Sequence, residues 1–266
     1  MTTRVTIDSL HAKKKSKAKI AALTAYDFVT AKIMDEVGVD LILVGDSLGM
    51  VILGYENTLK VSMSEMIHHT KAVSRAVRQA LVVADMPFLS YGVSDEWTLQ
   101  NAGRFIQEAG AQAVKLEGGQ AMARVVRKIV DLGIPVLGHI GMTPTHVLTE
   151  GGYHVQGKNE ADRQRLMEDA LSLQDAGAFG IVLECVKANT ACEISEKLTI
   201  PTIGIGSGAN CDGQILVSHD LLGLYEEIKP KYVKRYAELA SQMKNAFKSY
   251  QGEVANGTFP GKEHSF

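Results

Sequence analysis

Leu41-Ile-Leu-Val-Gly-Asp-Ser47 is an apolar run that stops abruptly at two polar residues. Ala113-Val-Lys-Leu-Glu-Gly-Gly119 has the same form, and Ala80-Leu-Val-Val-Ala-Asp-Met-Pro87 is a third example. Each stretch predicts a short buried strand that delivers polar groups at its carboxyl end. In a parallel α/β sheet or barrel, active sites are built at that end of the strands.

Short apolar segments alternate with segments of helical periodicity along the rest of the chain. The apolar runs lack strict period-two alternation, as expected for strands covered on both faces. Eight repeats predict a single (β/α)8 barrel domain over residues 1–266, with an N-terminal helical segment and a C-terminal helical tail. A doubly wound open sheet is the alternative, although it normally has fewer strands in this length. The predicted strands are 20–27, 41–47, 80–87, 113–117, 135–141, 180–185, 201–206 and 214–217.

Composition narrows the class of protein. The 266 residues are 45% hydrophobic with a formal net charge of −2, so the chain can cover a large core and offers no basic field for nucleic acid. The basic run at 13–19 is a solvated helix end or, alternatively, a polyanion patch. No apolar stretch approaches the ~18 residues of a membrane-spanning helix. Cys185, Cys192 and Cys211 lack paired-ligand spacing, so we expect reduced thiols in a cytoplasmic protein.

Three carboxylates lie at the ends of three predicted strands. They are Asp46, Asp85 and Glu117. Asp is also a common helix N-cap, so capping is the alternative role for Asp46 and Asp85. Three such strand ends close together favour a site for a hard cation. A site in which two carboxylates bind directly and a third acts through water would suit Mg2+. Zinc is disfavoured because no His/Cys spacing supports it.

Three further polar residues lie in the predicted barrel strands. Lys115 precedes Glu117 by two residues, so both side chains lie on one side of the strand. The two residues form a structural ion pair or, alternatively, Lys115 is a fixed cation for an anionic substrate. His139 lies inside strand five and is either a core histidine or an active-site group. Glu184 ends strand six, where it suits a general acid or base, or a salt-bridged glutamate paired with Lys115.

Two loops add to the predicted active face. Residues 48–61 form a long connection after strand two, which could act as a lid. The glycine-rich segment at 204–208 is similar to the phosphate cups of many barrels, although tight-turn geometry explains it equally well.

Six motifs in register resemble the ketopantoate hydroxymethyltransferase family. The likeness runs from about Ile20 to the final Phe266, so it covers nearly the whole chain. The motifs are Gly45-Asp-Ser-Leu-Gly-Met50, Val114-Lys-Leu-Glu-Gly-Gly119, Gly138-His-Ile-Gly-Met-Thr-Pro144, Gly151-Gly-Tyr-His-Val-Gln-Gly-Lys158, Val182-Leu-Glu-Cys185 and Ile203-Gly-Ile-Gly-Ser-Gly208.

The resemblance implies a barrel of the phosphoenolpyruvate/pyruvate-binding type that makes a carbon–carbon bond in pantothenate biosynthesis. Its members transfer a hydroxymethyl group from 5,10-methylenetetrahydrofolate to 3-methyl-2-oxobutanoate and form homo-oligomers, often decamers. By resemblance Glu184 is the proton acceptor. Asp46, Asp85 and Glu117 match the metal site, with Glu117 in the outer shell, and the oxo-acid contacts are Asp46, Ser47, Asp85, Lys115 and His139.

Three loop positions depart from the family pattern. Lys60 and Lys187 replace an expected proline, and His154 replaces an expected lysine, which bears on loop rigidity and folate affinity. A carbon–carbon or phosphorus–carbon lyase or mutase is the alternative enzyme, but no cysteine lies in the loops after strands four and five to serve as its acid. A non-catalytic small-molecule or metal-binding barrel is the alternative of another class.

Overall fold

The computed structural model describes residues 4–150, 152, 154–227 and 230–266. Contacts divide the chain into two compact units, Met1–Val217 and Ser218–Phe266. The prediction of one domain over 1–266 stays a prediction. Within the described ranges, no helix is both long and apolar enough to cross a bilayer. Gly151 and Tyr153, from the motif at 151–158, lie outside the described residues.

The first unit contains a closed parallel barrel, which confirms the predicted (β/α)8 architecture. Each strand pairs with the next along the chain, and β8 pairs with β1 to close the ring. The central strands are buried along their whole length, which explains their continuous apolar sequence. Within the described residues the strands are β1 Ile20–Thr24, β2 Leu41–Val44, β3 Leu81–Asp85, β4 Ala113–Glu117, β5 Val136–Gly141, β6 Gly180–Glu184, β7 Thr202–Ile205 and β8 Gly213–Leu216.

In the first unit, helices that follow the strands pack against the outside of the barrel. Within the described residues its α-helices are α1 Ile7–Ser16, α2 Phe28–Glu36, α3 Leu48–Val51, α4 Met63–Ala76, α5 Asp95–Gln107, α6 Ala123–Asp131, α7 Val147–Glu150, α8 Glu160–Asp175 and α9 Ala188–Lys197. The described residues of the second unit contain α10 Ser218–Leu221 and α11 Leu239–Ala255. The sequence predicts an N-cap at Ser62 with Glu65 three positions later, and a second N-cap at Ser94, and both caps are confirmed. Ser62 and Glu65 form a reciprocal capping box on α4, and Ser94 accepts from the Trp97 N–H at the start of α5.

Two element ends differ from the sequence prediction for a local reason. The first strand stops at Thr24, three residues early, because Asp27 leaves the strand to cap α2. The sequence predicts a helix from Ser62 to Ala80, but α4 stops at Ala76, because the carboxylate of Asp35 accepts the backbone N–H groups of residues 78, 79 and 80. A buried carboxylate that satisfies three amides competes successfully with helix continuation.

The basic run belongs to α1 and its C-terminal end, at the amino-terminal side of the barrel. Lys13 pairs with Asp40 at 2.5 Å and Lys14 with Asp212 at 2.6 Å. Lys19 Nζ donates to the carbonyl oxygen of Cys211 at 2.6 Å. Lysines of this run therefore attach α1 to the barrel. This structural role differs from both predicted alternatives, a solvated helix end and a polyanion patch.

The connection after β2 is a folded segment. It contains α3 and a short 3-10 helix, Thr58–Lys60. Thr58 and Val61 are buried, and the Tyr55 hydroxyl donates to Glu65 of α4. The segment is therefore anchored at several points, and lid motion stays a prediction.

Candidate active site

The predicted site residues gather along one arc at the carboxyl end of the barrel. Asp46 and Ser47 follow β2, Asp85 ends β3, and Lys115 and Glu117 lie on β4. His139 lies in β5 and Glu184 ends β6. The register between strands determines which site residues are neighbours. Asp85 is aligned with Lys115, and Glu117 is aligned with His139. Asp46, Asp85, Lys115, Glu117 and His139 are each at most 5% exposed.

Lys115 is the cation at the centre of this cluster. Its Nζ lies 2.7 and 2.8 Å from the two carboxylate oxygens of Asp85 and 3.7 Å from Oε1 of Glu117. Burial opposes the charged lysine, but the negative charges of Asp85 and Glu117 outweigh it and raise the pKa of Lys115. The predicted pair on β4 is therefore present, and Asp85 is the closer partner.

Glu117 is held ionised by its surroundings. Its Oε2 accepts from the Thr145 backbone N–H at 2.9 Å and from the Thr145 hydroxyl. Burial acts to raise the pKa of Glu117, but contact with His139 and the charge of Lys115 prevail and lower it to about 2. Both oxygens of Glu117 therefore face protein partners.

His139 lies between two glutamates. Its Nδ1 is 3.4 Å from Oε1 of Glu117, and its Nε2 is 3.2 Å from Oε2 of Glu184. Neither ring nitrogen has a well-aligned hydrogen bond among the described residues, so charge attraction dominates these contacts. Burial and Lys115 act to lower the pKa of His139, but the two glutamates raise it to about 9. Glu184 is therefore neither isolated nor paired with Lys115, and its charged neighbour is His139.

Asp46 and Asp85 approach each other closely. The Asp46 backbone N–H donates to Oδ2 of Asp85 at 3.3 Å. Burial, followed by the negative charges of Asp85 and Glu117, raises the pKa of Asp46 well above its ordinary value. Burial also raises the pKa of Asp85, although Lys115 partly offsets it.

The charge balance of the cluster fits a divalent cation. Four carboxylates share one lysine and one histidine, and burial together with neighbouring carboxylates raises the pKa values of Asp46 and Asp85. Among the described residues, no three His, Cys, Asp or Glu side chains form a ready metal-ligand group. Asp46 and Asp85 alone offer the few carboxylates that Mg2+ takes with water and substrate oxygens.

Two neighbours of the cluster were not predicted from the sequence. The Tyr26 hydroxyl lies 2.8 Å from Oγ of Ser47, and Tyr26 is 1% exposed. Thr145 supports Glu117 from the segment that follows β5. Tyr26 lies just after an apolar strand, as Asp46 does, and this position is the signal that could have identified it.

The glycine-rich segment after β7 packs against the barrel. The Ser207 hydroxyl donates to the carbonyl oxygen of Leu183 at 2.7 Å and accepts from the Val186 N–H at 3.0 Å. Gly206 and Gly208 have φ of +67° and +83°, values that favour glycine. These contacts support the tight-turn interpretation of the segment.

Solved structures with the same fold come from enzymes with low sequence identity. Phosphonopyruvate hydrolase in complex with oxalate and Mg++ is 12% identical with a TM-score of 0.62, and the match covers 97% of this chain and 92% of that one. The 2,3-dimethylmalate lyase, a PEP mutase/isocitrate lyase superfamily member, is 14% identical with a TM-score of 0.61, over 97% and 91% of the two chains. At these identities the likeness shows the fold alone, and it agrees with the predicted barrel fold.

Sequence comparisons are more specific. A family model described as ketopantoate hydroxymethyltransferase matches residues 4–262. The 3-methyl-2-oxobutanoate hydroxymethyltransferase of Syntrophus aciditrophicus (strain SB) is 56% identical over 263 residues, which cover 99% of this chain and 97% of the relative. The protein of the same name from Carboxydothermus hydrogenoformans (strain ATCC BAA-161 / DSM 6008 / Z-2901) is 56% identical over 99% and 95% of the two chains. The chain therefore belongs to the ketopantoate hydroxymethyltransferase family, as its six motifs predicted.

Proposed function

We propose that the protein transfers a hydroxymethyl group from 5,10-methylenetetrahydrofolate to 3-methyl-2-oxobutanoate and forms 2-dehydropantoate (ketopantoate) for pantothenate and coenzyme A biosynthesis. Family membership supports the reaction class. The observation that carries the proposal is the buried cluster in which Asp46, Asp85 and Lys115 lie beside Glu117, His139 and Glu184.

The cluster divides naturally into a metal side and a substrate side. Asp46 and Asp85 would hold Mg2+ directly, and Glu117 would act through water. When bound there, Mg2+ supplies Lewis-acid chemistry that makes the hydrogen on C3 of the oxo acid more acidic. Ser47 donates to the substrate carboxylate, and Lys115, whose pKa is raised by Asp85 and Glu117 in spite of burial, holds negative charge as it develops.

Glu184 is the proposed base. It removes the C3 proton of the oxo acid, and the C3 carbanion forms the new bond to the methylene carbon of the folate iminium. Water then adds to this methylene carbon and supplies the hydroxyl group as the carbon–nitrogen bond to the folate breaks, and the folate nitrogen takes a proton as tetrahydrofolate leaves. His139 lies 3.2 Å from Glu184 and contributes to the polar contacts around the oxo acid. The carboxylate is thus held beside a cationic ring and in reach of the substrate side of the cluster.

We also propose a cytoplasmic homo-oligomer, a decamer by family resemblance. Two helices support association because each has an apolar stripe exposed in the single chain. On α2 the exposed residues are Phe28, Val29, Ile33 and Val37, and on α11 they are Met243, Phe247, Tyr250 and Val254. The three cysteines are free thiols, in agreement with a reducing compartment.

An assay of product formation tests the proposed function. Purified protein with 3-methyl-2-oxobutanoate, 5,10-methylenetetrahydrofolate and Mg2+ is expected to form 2-dehydropantoate. Omission of the folate or addition of EDTA is expected to stop product formation, and restored Mg2+ is expected to recover it. Product that forms without folate, or no product under the complete conditions, would contradict the proposal.

A further inference from the structure

A pocket of about 250 Å³ opens beside the buried cluster. It lies between the segments that follow β3, β4 and β5, so it shares the carboxyl end of the barrel with the candidate active site. Glu117 and Thr145 form part of its wall. Most of the remaining wall is apolar and includes Phe88, Leu89 and Met122.

The rim of the pocket has two unusual features. Phe88 and Leu89 are 39% and 59% exposed, which is high for adjacent large apolar residues. Leu89 also has φ of +60°, a left-handed conformation that is costly for a bulky side chain. Such conformations cluster at ligand clamps and persist where the surroundings enforce them. Here the indole N–H of Trp97 donates to the carbonyl oxygen of Leu89 at 3.0 Å.

The polar groups of the wall are largely engaged with Glu117. The Tyr91 hydroxyl accepts from the Glu117 backbone N–H at 3.1 Å, and Thr145 donates to the Glu117 carboxylate. The pocket therefore presents apolar surface more than free charge, which suits a flat ring system. Pockets for complete drug-sized ligands span about 300–1,000 Å³. A smaller volume suits one ring system of a larger molecule.

We propose that this pocket binds the fused ring of the one-carbon donor, the part of 5,10-methylenetetrahydrofolate that carries the transferable carbon. This assignment rests on the proposed function. Glu117 connects the pocket with the reacting centre, because its Oε1 lies 3.7 Å from Nζ of Lys115 and 3.4 Å from His139. A ring in the pocket therefore lies next to the oxo acid, while the rest of the donor leaves over the exposed rim at Leu89 and Val93.

Filling the pocket tests the assignment. Ala121 lines it and is exposed, so Ala121→Phe places an aromatic ring where the donor would lie. Tetrahydrofolate affinity, measured by calorimetry, is expected to fall about tenfold or more, with a matching rise in KM for the methylene donor. Exchange of the C3 hydrogen of the oxo acid with solvent needs no folate and is expected to continue. The matched control is Ala12→Phe, at an exposed position of α1 on the opposite end of the barrel, with unchanged tetrahydrofolate affinity.

Wild-type tetrahydrofolate affinity in Ala121→Phe would overturn the assignment. If circular dichroism shows that this variant is unfolded, Phe88→Ala replaces it, because Phe88 is 39% exposed and outside the core. Its affinity for tetrahydrofolate is expected to fall about threefold or more, and an unchanged value would overturn the assignment equally. Failure of the proposed function has a different signature: the wild-type protein would form no 2-dehydropantoate at all.

Discussion

Glu184 shows how one residue acquires a role from its neighbours. It ends β6, and its carboxylate faces His139, which in turn contacts Glu117. The histidine is buried, and the two glutamates raise its pKa to about 9 against the effects of burial and of Lys115, so the ring is cationic at neutral pH. The charged ring orients the adjacent carboxylate, which is the proposed general base.

Glu184→Gln is expected to lower turnover by about 10²–10⁴-fold, because the amide cannot accept the C3 proton. The same variant is expected to lose most exchange of the C3 hydrogen with solvent, followed by proton NMR in deuterated buffer without folate. Glu36→Gln on the exposed side of α2 is the control, and its exchange rate is expected to match the wild type. Near-normal turnover together with near-normal exchange in Glu184→Gln would show that another group is the base.

At this scale the sequence predicted which residues would meet, but not how they pair. Strand ends identified Asp46, Asp85 and Glu117 without any knowledge of the barrel register. The partner of Glu184 depends on which residue of β5 lies beside β6, and the alignment of Gly141 with Glu184 is a tertiary fact. The contact between Tyr26 and Ser47 joins the ends of two strands in the same way.

Helix α1 is attached to the barrel by contacts with residues that are distant in sequence. Its last turn is basic, a composition typical of a solvated helix end. In the structure Lys14 Nζ donates to the carbonyl oxygen of Ser195 at 2.8 Å and to Asp212 at 2.6 Å, and Asp212 also accepts from the Thr202 N–H. Lys14 therefore links α1 to the end of α9 and the start of β7, a contact between residues far apart in the chain.

Lys14→Met is expected to lower the free energy of unfolding by about 1–3 kcal/mol, because it leaves a largely buried carboxylate and a carbonyl without their charged donor. Urea unfolding followed by circular dichroism measures the change. Lys15→Met removes the neighbouring exposed lysine and is expected to change the value by less than about 0.5 kcal/mol. Equal effects of the two substitutions would show that Lys14 does not fasten the helix.

The exact ends of helices and strands were harder to predict from the sequence than their existence. Capping residues identified the starts of α4 and α5 because a cap lies within three residues of the groups it satisfies. The end of α4 depends on Asp35, about forty residues earlier, so local pattern could not locate it. Lys187 lies where the family pattern has proline. Its backbone N–H donates to the Gln156 carbonyl oxygen at 2.9 Å, a hydrogen bond that proline cannot make.

Closure of the barrel explains why the polar residues of the candidate active site lie together at one end of the molecule. Eight parallel strands direct their carboxyl ends to one rim, so single polar residues from β2 to β6 become one buried cluster. The alternation of strands and helices was sufficient to predict this architecture. The charge imbalance of the cluster was not visible in the sequence, because it depends on burial and on distances between strands.

We propose that Asp46 and Asp85 would hold a divalent cation on which binding of the oxo acid depends. Calorimetric titration of 3-methyl-2-oxobutanoate into the protein, with Mg2+ or with EDTA, tests it most directly. Wild-type protein is expected to bind the oxo acid only with Mg2+, and Asp46→Ala is expected to lose this metal-dependent binding. Oxo-acid binding that is unchanged by EDTA, or by Asp46→Ala, would contradict a metal site at these two aspartates.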